Sequence, residues 1–462
     1  MKSTTTTMTF ISFISTKIMT KQLYVLFILV TAISITGPFF SFDSKYLGTQ
    51  LIRHPIELTK NMIKEQNFVI ILDGGSTGTR IHVFAFAINN DIRQQKILLE
   101  REDFFHTTPG LSSFNDNLTE LTENLQPLID KALNIVPGFL TKQTPIILKA
   151  TAGLRLLSNN DANRILYHVQ QQFYSLPFKV DNNSVTMLEE NDEGLFAWYT
   201  VNFLLQKLHK INESIATLDL GGGSTQITFS TYNIDTLIRS HQYIVQRYIE
   251  GEQEFIYTHS YLGLGLMSAR RSILAMDIDH SKSSSSSSLS IGMDYNYEYW
   301  ISSPCFKILN NETYHWRQDH HIYHIQYNNN GDKDDDDISW YKCLSNVENF
   351  IINANIDQPE ELKHRQIYAI SYFYDRMKDI RIVRNDNGQV RVGDFFLYAE
   401  NICRNSIRIK RQNPFLCIDL TYIACYLHYG LGLPTTKDIM LVKKIDGIEI
   451  SWALGAAINL FH

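Results

Sequence analysis

Two segments of this chain repeat one device, and that repeat constrains the fold more than any other feature. FVIILDGGSTGTRIHVFAFAI runs over 68–88 and IATLDLGGGSTQITFS over 215–230. Each reads as an apolar strand ending in Asp, a Gly/Ser/Thr turn, and a second strand with alternating apolar residues. Asp73 and Asp219 hold equivalent places in the two copies. One strand-turn-strand unit in each of two lobes is the simplest architecture with this pattern. A chain of 462 residues, 44% of them hydrophobic, is long enough to give each lobe a core.

The turns between the paired strands carry the chemistry. Gly74, Gly75 and Gly78, and again Gly221, Gly222 and Gly223, permit backbone angles that turn successive N–H groups inward. Such a nest is an anion site, and the hydroxyls of Ser76, Thr77, Ser224 and Thr225 add further donors. P-loops and dinucleotide fingerprints lead into a helix, whereas here the chain returns into a strand. One such turn alone would read as a plain hairpin. Two matched turns, each following an Asp, point to phosphate.

A carboxylate beside a phosphate is unfavourable unless a cation lies between them. Asp73 and Asp219 therefore imply a hard divalent ion, Mg2+ or Ca2+, held through water. The formal net charge of -6 offers no global positive field for a nucleic-acid backbone, so anion recognition falls to these local devices.

Two further segments lie between the copies. TPIILKATAGLRLL, 144–157, reads as a buried strand followed by Lys149, Thr151 and Arg155 around a glycine, a layout that supplies a hydroxyl and cations near a phosphate. LEENDEGLFAWYTVNFLLQKL, 188–208, opens with four carboxylates and continues as an amphipathic helix. Acidic residues in a first turn need no more reason than the helix dipole. Glu193, just before Gly194, is the one placed as a base for water attacking a terminal phosphate.

Residues 23–35, LYVLFILVTAISI, are apolar and uncharged, with Lys17 and Lys21 just before them. That order fits a type II signal-anchor, with a cleaved signal peptide as the competing reading. Residues 1–45 are then a membrane or targeting segment, 46–67 a stalk, and the body lies in the secretory lumen or outside the cell. Five cysteines, all beyond residue 300, agree with an oxidising compartment. The economical pairing is Cys305 with Cys343 and Cys403 with Cys417, leaving Cys425 over; the spacing leaves other pairings open. Asn117, Asn182, Asn212 and Asn311 begin glycosylation sequons. A serine run at 283–288 and NNNGDKDDDD at 328–337 read as solvated insertions.

Together, DGGSTGTR at 73, KATAGLRLL at 149, EENDEGLFAWYTVNFL at 189, LDLGGGSTQITF at 218 and ISWALGA at 450 resemble the ecto-nucleoside triphosphate diphosphohydrolase, or apyrase, family. The resemblance runs from about Phe68 to the C-terminus. It implies an α/β fold of two actin-like (RNase H-like) lobes with a nucleotide cleft between them, lobe I over 68–187 completed by 446–462 and lobe II over 188–445. By the same resemblance Glu193 is the general base, and Ser224 and Gln226 position the attacking water. Ser76, Thr77, Arg80 and Thr151 bind phosphate, Asp73 and Asp219 form the metal shell, and Trp452 stands near the metal's water shell, with a core aromatic as its plain reading.

The single N-terminal apolar segment, the four paired-looking cysteines and AISYFYDRM at 369–377 resemble the short Golgi and endoplasmic-reticulum branch, whose members favour UDP and GDP. The pattern departs from the family at Gly74 and Gly223, where Ala is usual, and at Leu431, where many members carry a base-stacking aromatic. Tyr374 or Tyr372 is then expected to cover the base. The rival reading is an actin-like nucleotide-binding protein with little turnover.

Overall fold

A computed structural model describes residues 65–91, 94–208, 213–249, 251–278, 297–306, 313–318, 321–327, 336–405 and 413–461. The signal-anchor, the stalk up to residue 64, the serine run, most of the acidic run, Asn212 and Asn311 lie outside these residues, and the last three residues of the expected stalk, 65–67, already belong to the first strand.

The first copy of the repeat forms β1 (Glu65–Gly74) and β2 (Thr79–Asp91), followed by β3 (Gln94–Thr107), β4 (Ile146–Ala150) and β5 (Val185–Met187). They build one sheet in the order β3-β2-β1-β4-β5, with β1 antiparallel to β2 and parallel to β4. The second copy forms β6 (Ala216–Leu220) and β7 (Ser224–Ser230). With β8 (Ile244–Ile249), β9 (Glu252–Leu262), β13 (Ile367–Ser371), β14 (Asn387–Arg391) and β15 (Asp438–Val442), they build a seven-stranded sheet, β14-β15-β13-β6-β7-β9-β8. Its centre, β9-β7-β6-β13-β15, repeats the strand order and directions of the first sheet. Strands β10 (Tyr297–Ser303), β11 (Tyr314–Gln318) and β12 (His321–Tyr327) form a separate small sheet.

The register shows why the copies are functional equivalents. Asp73 pairs across its hairpin with Arg80, and Asp219 pairs with Gln226. Each Asp therefore ends a strand central to its sheet, beside a parallel neighbour: Lys149 of β4 in one case and Ile370 of β13 in the other.

Helix formation on the first sheet follows local signals. The helix Leu118–Ile135 is capped by the Asn117 side chain, which accepts from the Glu120 N–H, and it buries Leu121, Leu125, Leu128, Ile129 and Ala132 as one stripe. The helix Asn159–Tyr174 is capped by Ser158 and buries Ala162, Ile165, Val169 and Phe173 at the same spacing. Both stripes join Ile70, Leu72 and Leu148 in one core, while Asn117 and Asn182 stay exposed.

The helix Glu190–Leu204 departs from the expected amphipathic pattern. Leu195, Phe196, Ala197, Trp198 and Val201 are all buried, so it has no wide polar face. The reason is its position. It packs on β6, β7 and β9 of the second sheet and on the helix Trp452–Asn459, which itself lies on β1 and β2. Val69 and Ile71 from one sheet and Ile370 and Val442 from the other share a single apolar cluster with Phe196 and Trp452. The one amide so enclosed is satisfied: Asn202 donates to the Ile215 carbonyl at 3.1 Å and accepts from the Ile215 N–H at 2.8 Å.

Disulfides join Cys305 to Cys343 and Cys403 to Cys417, and Cys425 is free and buried, as the economical pairing anticipates. No helix among the described residues is long and apolar enough to cross a membrane.

The two central helices touch through Gly455. Its N–H donates to Thr200 Oγ1 at 2.8 Å, and a Cβ there would collide with the Phe196 backbone. Gly455→Val is expected to cost about 1–3 kcal/mol or more, because the obstacle is backbone. Thermal unfolding checks this: the variant melts several degrees lower, whereas Gly138→Ala, with open space around its Cβ position, leaves the melting temperature unchanged.

Candidate active site

The two glycine turns face each other. A Cβ on Gly222 would collide with Ser76 Oγ and lie 3.3 Å from Thr77, while one on Gly153 would lie 2.7 Å from the Ser76 Cα. Gly223 packs against Ala152 in the same way, at 2.8 Å. Turns from different sheets thus meet closely, the glycines of the second against the Ser76, Thr77 and Ala152 side chains of the first lobe.

Each turn is held from behind. The first N–H groups of the helix Leu266–Ala275 take the carbonyls of Gly221 and Gly222: Leu266 N–H to Gly221 at 2.9 Å, Met267 N–H to Gly222 at 2.9 Å. Thr151 N–H donates to the Gly74 carbonyl at 3.1 Å. The amides of Gly75, Ser76, Thr77, Gly78, Gly222 and Gly223 find no acceptor among the described residues. They form a donor nest narrower than the sequence suggests, because the Gly221 N–H is spent on the Ser224 carbonyl at 3.0 Å.

Three carboxylates converge here. Asp73, Glu193 and Asp219 are 6%, 7% and 8% exposed. Of the four acidic residues at the start of the Glu190 helix, only Glu193 is buried. Gly194 is what lets it sit there, because a Cβ would lie 2.6 Å from Thr228 Oγ1 and 3.2 Å from the Gln226 side chain. Burial pushes the Glu193 carboxyl up to about 7; Arg155, at 2.9 Å, pulls it down, and Asp219 pushes it up again. Asp219 is pushed up to about 6 by burial, with the Ser371 hydroxyl lowering it and Asp73 raising it.

Two oxygens in this cluster lack any partner: Asp73 Oδ1 and Asp219 Oδ1. Buried orphan carboxylate oxygens beside unpaired amides fit a hard divalent cation that bridges to phosphate. Among the described residues the one cluster of three or more close ligand atoms is Cys343, Cys403 and Cys417, which the disulfides occupy.

Arg80 pairs with Asp73 Oδ2 at 3.1 Å, its guanidinium lying over Gly75, where a Cβ would be 2.7 Å from Nη1. Burial works against its charge, but Asp73, Tyr372 and Asp219 outweigh that, and its pKa is raised. Gln226 Nε2 donates to Ser224 Oγ at 2.7 Å and to Ser260 Oγ at 2.9 Å, leaving its Oε1 buried and unpartnered. Thr151 is 6% exposed beside the first turn.

Other expected residues lie elsewhere. Thr225 is on the opposite strand face from Ser224 and Gln226, and its hydroxyl donates to the Leu264 carbonyl at 2.6 Å, so it braces the turn from behind. Tyr374 is 4% exposed within the lobe II core, its hydroxyl donating to the Asn385 carbonyl at 2.8 Å. No face of it is open to a base. Tyr372, half-buried beside Arg80, is the ring that lies near the site. Leu431 is fully buried in the same core. Trp452 is 3% exposed and packs with Ile71 and Ile370, in keeping with its plain reading as a core aromatic. Lys149 donates to Thr186 on the neighbouring strand at 2.6 Å.

Ser371 was not legible in the sequence. It ends β13 with φ 59°, a region that disfavours side chains, and it bonds Asp219. The signal that could have found it is topological: β13 is the parallel neighbour of β6, as β4 is of β1.

Two lobes of this kind, closing paired amide nests and a buried carboxylate on one point, define a nucleotide phosphohydrolase. The chain belongs to the GDA1/CD39 (nucleoside phosphatase) family, which it matches over residues 59–462. It is 36% identical to ectonucleoside triphosphate diphosphohydrolase 5 of Bos taurus over 85% of this chain and 87% of that protein. It is 35% identical to nucleoside diphosphate phosphatase ENTPD5 of Homo sapiens, with the same coverage of both chains. Ectonucleoside triphosphate diphosphohydrolase 6 of Mus musculus is also 35% identical, over 85% of this chain and 81% of that one. A crystal structure of nucleoside triphosphate hydrolases from Neospora caninum shares the fold, with a TM-score of 0.56 at 14% identity, covering 86% of this chain and 92% of the other.

The raised Glu193 carboxyl makes a signed prediction. Between about 4.5 and about 7 the folded state holds a proton that the unfolded chain releases, so metal-free stability falls as pH rises through that window. Glu193→Gln removes this contribution, and melting curves across the window read it as a widening advantage of the variant. Arg155→Met removes the cation that lowers the Glu193 pKa, so the acid limb of kcat/KM moves up by about 1–3 pH units. An unmoved limb would mean that another group sets it.

Proposed function

We propose that this chain hydrolyses the terminal phosphate of nucleoside diphosphates and triphosphates, UDP and GDP foremost, by direct attack of water with Glu193 as general base. The observation that carries this reading is Glu193 itself: a buried carboxyl near 7, at the junction of two turns whose amides lack acceptors. A base titrating there is about half ionised at neutral pH and still binds a proton well.

In the mechanism, the terminal phosphate lies between the turns and takes hydrogen bonds from their free amides and from Ser76 and Thr77. Asp73 and Asp219 would hold Mg2+ or Ca2+ through water, and that ion would supply charge neutralisation for the phosphate oxygens. Ser224 and Gln226 position the water, with Gln226 Oε1 accepting a hydrogen bond from the O–H that the water keeps; this is the oxygen left unpartnered. Glu193 takes the other proton as the water oxygen bonds to phosphorus. The bridging P–O bond breaks, and the leaving nucleotide keeps that electron pair. Arg80 leaves Asp73 to meet the phosphate, and Tyr372, one of the two rings expected to cover the base, takes that role. No covalent phosphoenzyme forms.

The diphosphate preference is supported by the printed name of the human relative, a nucleoside diphosphate phosphatase. The two disulfides and the apolar N-terminal run support residence on the lumenal side of the Golgi or endoplasmic reticulum, anchored as a type II protein or secreted after cleavage.

Phosphate release from UDP, GDP, ADP and ATP tests the reading, with Mg2+, with Ca2+ and with chelator. The expected result is metal-dependent turnover, fastest on UDP and GDP, falling about 100-fold or more in Glu193→Gln. Nucleotide binding without phosphate release by the folded wild type would replace it with an actin-like binding protein.

A further inference from the structure

The small sheet β10-β12-β11 carries a histidine pair unrelated to the nucleotide site. His315 of β11 and His324 of β12 are direct register partners, and their Nδ1 atoms lie 2.7 Å apart. On the next strand, Trp300 of β10 is the register partner of His324 and stacks on it at 4.5 Å with 20° between the planes. Glu298, on the same face of β10, brings Oε2 to 3.4 Å from His324 Nε2, an ion-pair distance without hydrogen-bond geometry.

These contacts fix what His324 presents. A carboxylate facing Nε2 favours the proton on that nitrogen, which leaves the Nδ1 lone pair aimed at His315. The stacked indole holds the ring plane, and only 12% of the His324 side chain is exposed. Tyr323 and Ile325, its neighbours on β12, point into the lobe II core, and the Cys305–Cys343 disulfide begins two residues past the end of β10. The frame is therefore rigid, whereas His315 is exposed and free to adjust.

We propose that His315 and His324 bind a divalent transition-metal cation of the Zn2+ or Cu2+ class through their two Nδ1 atoms, with Glu298 and Trp300 positioning His324. Two convergent imidazole nitrogens suit these ions and not Mg2+ or Ca2+, which take oxygen ligands. At metal–nitrogen distances of about 2.0–2.1 Å, the nitrogens need part only to about 3 Å, a small swing of the exposed ring. Proton and metal occupy the same gap: in the metal-free pair, His315 Nδ1–H donates to His324; in the metal-bound pair, that proton sits on the solvent-facing Nε2 of His315. Water completes the coordination, and the ion clamps β11 to β12.

The test uses the full chain in detergent with saturating Mg2+, so that the nucleotide site is filled, and Cu2+ alone as the probe. Paramagnetic resonance is expected to show one bound Cu2+ coupled to two imidazole nitrogens. His315→Ala and His324→Ala each weaken Cu2+ binding at least tenfold, and Glu298→Gln weakens it by about 10-fold, the usual effect of losing a ligand's orienting partner. His241→Ala, an exposed histidine outside the sheet, leaves it unchanged. Mg2+-dependent phosphate release stays at the wild-type rate in every variant and reports that each has folded. Unchanged Cu2+ affinity in both folded His315 and His324 variants overturns the proposal. So does a lower melting temperature without loss of Cu2+ binding, which would make the pair a structural hydrogen bond.

Discussion

The structure depends on the close approach of two turns from different sheets. Gly222 sits against Ser76, Gly153 against the Ser76 backbone, and Gly223 against Ala152, with no room for a side chain at any of the three glycines. Because the turns meet at this distance, amides from both sheets address the same point. In the proposed mechanism a phosphate there would be gripped from both lobes, so that a motion of one lobe against the other would become a motion of the binding site itself.

That approach is held by apolar packing further back. The Glu190 and Trp452 helices fill the space between the sheets and cross where Gly455 meets Phe196. The same packing buries Glu193, because it lies in the first turn of a helix enclosed on nearly every side. Burial then raises its proton affinity toward neutrality, with Arg155 opposing and Asp219 assisting. The raised Glu193 pKa is thus a consequence of how the lobes are joined. Orphaned oxygens on Asp73, Asp219 and Gln226 mark where this packing leaves polar capacity for ion, water and phosphate.

Departures from the family pattern acquire a physical meaning in this setting. A Cβ on Gly74 would lie 2.6 Å from Leu111 Cδ1, and one on Gly223 would lie 2.8 Å from the Ala152 Cβ. In this chain both positions are therefore fitted to their neighbours as glycine, and alanine would require those neighbours to move.

The sequence by itself determined the local devices: the repeated strand-turn-strand unit, the Asp at each strand end, the glycines of the turns and the singularity of Glu193 among its acidic neighbours. These are properties of residue type and spacing within short segments, which is where period and propensity speak. Only the tertiary structure decided which way side chains of adjacent residues point once both sheet faces are covered. It turned Thr225 behind the turn and Tyr374 into the core, tied Lys149 to Thr186, and brought Ser371 to Asp219 across more than half of lobe II. Partners of that kind come from parallel strands and helices distant in the chain, so no window of sequence contains both members of the contact.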